Sequence, residues 1–205
     1  MEFYETVIKR RTCRGFTAED VSEEALQRIL GAALKAPTNN HLRQWQFVIL
    51  RTQDEKDNAL RFAKAFADSH QTMPQWPGEG DTAKKMYSYA VPRQYSMLNS
   101  CPYVILPFFK AAPSLFAPTS INSYNTLAGA WCMIDHLLLA AADEGLGCSL
   151  RIPVGSESAD VAAAIGAPEG WVMPCYIGLG HPSPDEPEIE QITPTLEEVI
   201  HRGKW

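Results

Sequence analysis

Between Asn122 and Glu144 the sequence carries Ala128-Gly129-Ala130-Trp131 and His136-Leu137-Leu138-Leu139-Ala140-Ala141-Ala142, which is apolar on nearly every face of a helix. A helix with one polar side can lie on a surface, whereas one that is apolar nearly all round has to be enclosed, so the remaining chain must wrap it. Asp135 and His136 are its exceptions, and a locally hydrogen-bonded pair at the core boundary accounts for them more simply than a catalytic role.

The flanking segments supply the wrapping. Phe3, Val7 and Ile8 recur at helical spacing and predict a short N-terminal helix. Ser22 is placed to cap a second helix, with Val21 and Leu26 at staple positions, Glu23 and Glu24 in the first turn, and Leu26, Ile29, Leu30, Ala33 and Leu34 as its buried stripe. Pro37 ends that helix. Trp45 to Leu50 is β-rich and reads as a core strand, and Asp54 to about His70 reads as an amphipathic helix through Leu60, Ala63, Phe66 and Ala67. Cys101 to Phe109 is a second strand, in which Pro107 suggests an edge position or a bulge. Periodicity alone gives mixed α and β, and 205 residues with 45% hydrophobic content fill one domain spanning 1–205.

Gln71 to Ser100 is different, with Pro74, Pro77, Gly78, Gly80 and Pro92 among Trp76, Tyr87, Tyr89 and Tyr95. It is too irregular for a core element and too aromatic for a linker, so a lid over about 71–100 is expected, an ordinary surface loop being the alternative for any one aromatic.

Charge narrows the partners. A formal net charge of −6 and a pI near 5.4 argue against a nucleic-acid binder, which needs a broad basic face. No apolar run reaches the roughly 18 residues of a membrane span, and Met-Glu-Phe-Tyr-Glu does not read as a signal peptide, so a cytoplasmic protein with a small-molecule partner is expected. The cysteines at 13, 101, 132, 148 and 175 show no Cys-x-x-Cys and no zinc spacing, and no metal is expected. Against this acidic background, Lys9-Arg10-Arg11-Thr12-Cys13-Arg14 places four cations in six residues. A solvated turn would explain it, and so would an anion. Cations so close could also lower the Cys13 thiol pKa, although a passive filler suits a cysteine with no base nearby.

Arg-Arg-Thr-x-Arg, followed by Ala36-Pro37-Thr38 and by Trp45 seven residues after Thr38, resembles the nitroreductase family of FMN-dependent oxidoreductases. The resemblance implies that Arg10, Arg11, Thr12 and Arg14 grip the FMN phosphate and pyrimidine edge, and that Pro37, Thr38 and Asn39 lie along the isoalloxazine. Gly145-Leu146-Gly147 is similar to a family stretch whose following residues, here Leu150, Arg151 and Ile152, pass their backbone across the flavin's reactive edge. Where the family has Asn-x-Gln-Pro-Trp, this chain has His41-Leu42-Arg43-Gln44-Trp45. Arg43 near the pyrimidine would stabilise charge at N1/O2 on reduction; Arg151 is a rival for that task, and either reads equally as a surface arginine.

The family also implies an α+β fold with a mainly antiparallel sheet flanked by helices, an intertwined homodimer, and a C-terminal arm, here about 182–205, that crosses to the partner unless it packs on its own subunit. The implied activity passes hydride from NADH or NADPH through FMN to an electron-poor acceptor such as a nitroaromatic or quinone, in ping-pong fashion. A reductive dehalogenase or oxidase on the same scaffold, and a flavin-storing protein without turnover, are the alternatives. Trp76, Tyr87, Tyr89 and Tyr95 are the acceptor-stacking candidates. One departure stands out: Glu188 to Thr193 replaces the cations that many members place before the Pro-x-Leu-Glu-Glu-Val tail, and Arg202 and Lys204 come too late to match them.

Overall fold

The computed structural model describes residues 2–69, 81–187, 189 and 193–205. Its centre is an antiparallel sheet of β1 (Trp45–Leu50), β2 (Tyr103–Lys110), β3 (Gly147–Arg151) and β5 (Tyr176–Gly180) in the order β1-β2-β5-β3, with β4 (Trp171–Val172) added at the end of β2. Because strand side chains alternate, the sheet has two unlike faces. On one, Trp45, Tyr103, Ile105, Phe109, Ile177 and Leu179 pack on α2 (Glu23–Ala33) and α6 (Asn125–Asp143). On the other, Leu50, Val104, Leu106, Phe108 and Tyr176 meet α3 (Gln53–Ser69), α5 (Ser96–Asn99) and α7 (Glu157–Ala164). The α+β arrangement with an antiparallel sheet between helices is the one expected.

Helix α6 buries Gly129, Ala130, Met133, Ile134, Leu137 and Ala141. The opposite face, with Trp131, Cys132 and Leu138, is only partly buried, because a sheet covers a helix from one side. Complete enclosure is therefore not reached within one chain. His136 Nδ1 lies 3.0 Å from the Cys132 carbonyl, one helical turn back, and Asp135 is exposed, as a boundary pair should be.

In α2 the Ser22 hydroxyl accepts the Ala25 N–H at 3.2 Å, a cap of the kind expected. The stripe is shorter than the sequence suggested: the helix stops at Ala33, so Leu34 follows it and is exposed, while Ala25 takes a core position. Pro107 needs a second correction, since β2 is central rather than an edge. Lys110 donates to Gln44 of the β1 side, so the alternation aims the odd-numbered positions at the opposite neighbour. There β5 pairs with residues 103–105 and β4 with 109–110, and Pro107 falls in the gap, where no N–H is needed.

The lid expectation fails in its premise for residues 81–100. They form α4 (Asp81–Ala90), a 3-10 turn over Val91–Arg93 and α5, and Met97 and Leu98 are core residues. Pro92 misled the reading because it sits in the first turn of its 3-10 helix, where a missing N–H costs nothing. Trp76 and the rest of 71–80 lie outside the described residues. Phe16 pairs with Pro182 and Ser183 donates to the Gly15 carbonyl at 2.9 Å, so the first residues of the expected arm are fastened to the basic loop of the same chain. Residues 193–205, including α8 (Leu196–Val199), are exposed throughout. None of the described helices is long and apolar enough to cross a membrane.

Candidate functional site

Helix α1 (Phe3–Lys9) ends at Arg10, whose extended conformation sends the chain along β3. There Thr12 forms a parallel bridge with Cys148, and Cys13 donates its N–H to the Cys148 carbonyl at 2.8 Å. The contact is close enough that a methyl group on Gly147 would come within 2.8 Å of Cys13 Cβ, so the Gly-Leu-Gly stretch needs its second glycine for packing. With Cys13 turned inward, Arg10, Arg11, Thr12 and Arg14 line one cleft, together with Met86 of α4 and Glu186, Pro187 and Ile189. Among the described residues no carboxylate oxygen comes within 4 Å of the Arg10, Arg11 or Arg14 guanidinium. Burial lowers the Arg14 pKa, opposed by Glu186. The Cys13 thiol is not activated: burial raises its pKa, and its Sγ–H donates to the Gly15 carbonyl at 2.9 Å. Desolvation outweighs the neighbouring cations, so Cys13 is the passive filler.

Pro37, Thr38, Asn39, His41 and Arg43 form a second group. Thr38 packs close to Gly129 of α6, and the loop then turns through Asn40, His41 and Arg43 with φ of 51°, 54° and 40°, a left-handed run that side chains other than glycine resist. Thr38, Asn39 and Leu42 line a small cleft with Trp45 and Thr126, whose buried Oγ1 has no hydrogen-bond partner among the described residues.

These two groups are not adjacent in one chain. The loop meets α6 at Gly129, whereas α1 is fixed to its other end, where the Thr6 hydroxyl donates to Asp143 at 3.2 Å. At 1.5 Å per residue those contacts are about 21 Å apart along the helix.

Leu150 is half-buried against the first core and Ile152 stands exposed just beyond β3. Arg151 is a correction: alternation turns it to the other face, where it is 1% exposed between the Phe66 and Tyr176 rings and paired with Glu157. Its guanidinium therefore cannot reach a ligand on the Leu150 side, so Arg43, which is exposed, loses its rival for that charge. Of the aromatic candidates, Tyr87 is half-buried and Tyr95 packs on the second core. Tyr89 donates to Glu186 Oε2 at 3.0 Å under a stacked Arg93 guanidinium 4.0 Å from its ring centre.

Glu186 and Met86 were missed by the sequence reading. Glu186 sits in an acidic, proline-rich run that points nowhere by itself. Its one trace is Gly15, directly after the basic run: a methyl group there would lie 2.6 Å from Glu186 Oε2.

An antiparallel sheet between helices, with an arginine-rich cleft where the first helix meets the sheet, defines an α+β protein with a cationic cleft at the sheet's edge. The chain belongs to the nitroreductase family, whose sequence model matches residues 7–181. It is 24% identical over 213 residues to an iodotyrosine deiodinase of Nematostella vectensis, covering 97% of this chain and 74% of that protein. It is 28% identical over 188 residues to an NADH dehydrogenase of Thermus thermophilus, covering 86% and 84%. Among solved structures, oxidized iodotyrosine deiodinase bound to FMN and 3-iodo-L-tyrosine superposes with a TM-score of 0.72 at 21% identity, covering all of both chains.

Proposed function

We propose that this protein is an FMN-dependent oxidoreductase that takes electrons from NADH or NADPH and delivers them to a small electron-poor acceptor, such as a nitroaromatic or quinone. The observation that carries this is the convergence of Arg10, Arg11, Thr12 and Arg14 on one cleft, where among the described residues no carboxylate is ion-paired to those arginines. That donor set suits a terminal phosphate: guanidinium forks bind its oxygens in pairs, and a hydroxyl adds a third kind of donor. The FMN ring, when bound, supplies the hydride chemistry. The chain's task is to hold the phosphate, present the ring and shed water from it.

The second half of the site is best supplied by another copy. Thr38 and its strained loop lie about 21 Å along α6 from the anchor of the basic cluster, so a flavin at the interface of a homodimer would bring one subunit's arginines to the other's loop. Phe3 and Ile8 on α1, 65% and 82% exposed, and the exposed apolar positions of the 193–205 tail fit such an interface. Light scattering on the purified protein tests it: a flavin-loaded monomer overturns the shared site.

The deciding experiment is an anaerobic titration in two stages. NADH or NADPH should bleach the bound flavin, and a nitroaromatic or quinone should restore its colour. A spectrum unchanged by excess of both nicotinamides would turn the reading to a flavin-storing protein. The similarity to iodotyrosine deiodinases favours a second reading, reductive dehalogenation of a halogenated aromatic. Halide release from a halophenol by the chemically reduced protein, without reoxidation by nitro compounds, selects it.

A further inference from the structure

Glu186 holds an unusual position for a carboxylate. Its Oε1 accepts the Arg14 backbone N–H at 2.9 Å and its Oε2 accepts the Tyr89 hydroxyl at 3.0 Å, and it lines the same cleft as Arg10, Arg11, Thr12 and Arg14. The pocket for it is built. Gly15 has no side chain where a methyl group would lie 2.6 Å from Oε2, and Ser183 donates to the Gly15 carbonyl while Glu186 donates to the Ser183 carbonyl at 3.1 Å, so the segment carrying the acid is strapped to the basic loop. Tyr89 is held in turn by Arg93, which donates to its carbonyl at 3.0 Å.

We propose that Glu186 is an internal counter-anion of the phosphate cleft, which weakens the hold of Arg10, Arg11 and Arg14 on any phosphate-bearing ligand and so sets its affinity. The inference rests on the reading of that cleft as the FMN phosphate site. The carboxylate uses one backbone donor that a phosphate would otherwise receive. It also adds a negative charge beside the incoming one, and like charges held in partly desolvated surroundings repel well above their cost in water. The chain also lacks the cations expected between Glu188 and Thr193, so the cleft works with few cations and an opposing charge. Loose, exchangeable FMN is the consequence.

Glu186→Gln separates charge from shape, because the amide oxygen can still accept from Arg14 and the amide nitrogen can donate to the Tyr89 oxygen. Calorimetric titration of the full-length protein with inorganic phosphate and with FMN should show about tenfold tighter binding of both in E186Q, equivalent to about 1.4 kcal/mol, with riboflavin affinity unchanged. Asp185→Asn removes the same charge from an exposed neighbour and should alter phosphate affinity by less than about twofold. Unchanged or weaker phosphate binding in E186Q overturns the proposal and makes Glu186 a structural clasp. If phosphate tightens as expected but FMN binds neither protein, the proposal stands and the flavin reading falls. If phosphate and FMN bind neither protein, both fall.

Discussion

Two arginine sites in this molecule meet opposite fates. Arg151 is sealed on the α3/α7 side of the sheet, where Glu157 receives Arg151, the Tyr176 hydroxyl at 2.6 Å and the Val154 N–H at 2.9 Å, and two aromatic rings cover the guanidinium. Arg10, Arg11 and Arg14 line an open cleft beside β3, and Glu186, which lines it with them, accepts its hydrogen bonds from a backbone amide and a phenol. An arginine whose carboxylate is supplied by the fold is part of the fold. One that faces solvent without a carboxylate partner is free for a ligand, and sequence spacing does not separate the two.

The largest effect expected from this contrast is on stability. Glu157→Ala leaves a buried guanidinium without its counter-charge and should cost about 3–5 kcal/mol in denaturant unfolding, while a paired Arg151→Met, Glu157→Leu replacement should recover most of it. A loss below about 1 kcal/mol in the single variant would mean that water reaches Arg151 and that the two sites are alike. Tyr176, whose hydroxyl donates to the same carboxylate and whose pKa is raised by burial and then by Glu157, should contribute no phenolate at pH 11, read as the absorption difference between the native chain and Tyr176→Phe. Its appearance there would equally deny the seal.

That contrast also marks what was legible in the sequence. The elements were, because their signals are local: Ser22 caps α2, Trp45–Leu50 is β1 residue for residue, and the apolar run is α6. The basic cluster was legible because its charge opposes that of the whole chain. Arg151 misled because one step along a strand changes the face and no composition records it. Glu186 was invisible because its contacts to Arg14 and Tyr89 span 172 and 97 residues.

The open site should show a binding effect without a folding effect. Arg14→Ala should weaken FMN binding by about 1.5–3 kcal/mol, as expected for a lost charge-assisted hydrogen bond, with unfolding free energy changed by less than about 1 kcal/mol. Thr12→Val should cost less, about 0.5–1.5 kcal/mol of binding, because a neutral hydroxyl is lost and its backbone bridge to Cys148 is kept. Arg14→Ala that unfolds the protein while leaving FMN affinity intact in the folded fraction would place Arg14 with Arg151.

The smallest effect, and the one that asks both sites the same question, is salt. Raising chloride from 0.1 to 1 M shortens the screening length from about 10 Å to about 3 Å. Charges that solvent can reach lose most of their attraction, and a pair sealed from solvent keeps it. FMN binding to the basic cleft should therefore weaken severalfold across that range, by about 0.5–1 kcal/mol, less than the loss of any one arginine because the hydrogen bonds persist at contact distance. The stability difference between the native chain and Glu157→Ala, measured at the same two salt concentrations in urea, should stay constant within about 0.3 kcal/mol, since the Arg151 and Glu157 side chains are 0% and 6% exposed. Urea is the denaturant to use because it leaves the ionic strength unchanged. If the buried pair weakens with salt as much as FMN binding does, solvent reaches both arginines and their separate roles collapse. If neither responds, the cleft closes over its ligand more completely than the free chain shows, and the cover should be sought in the second copy that the proposed dimer would supply.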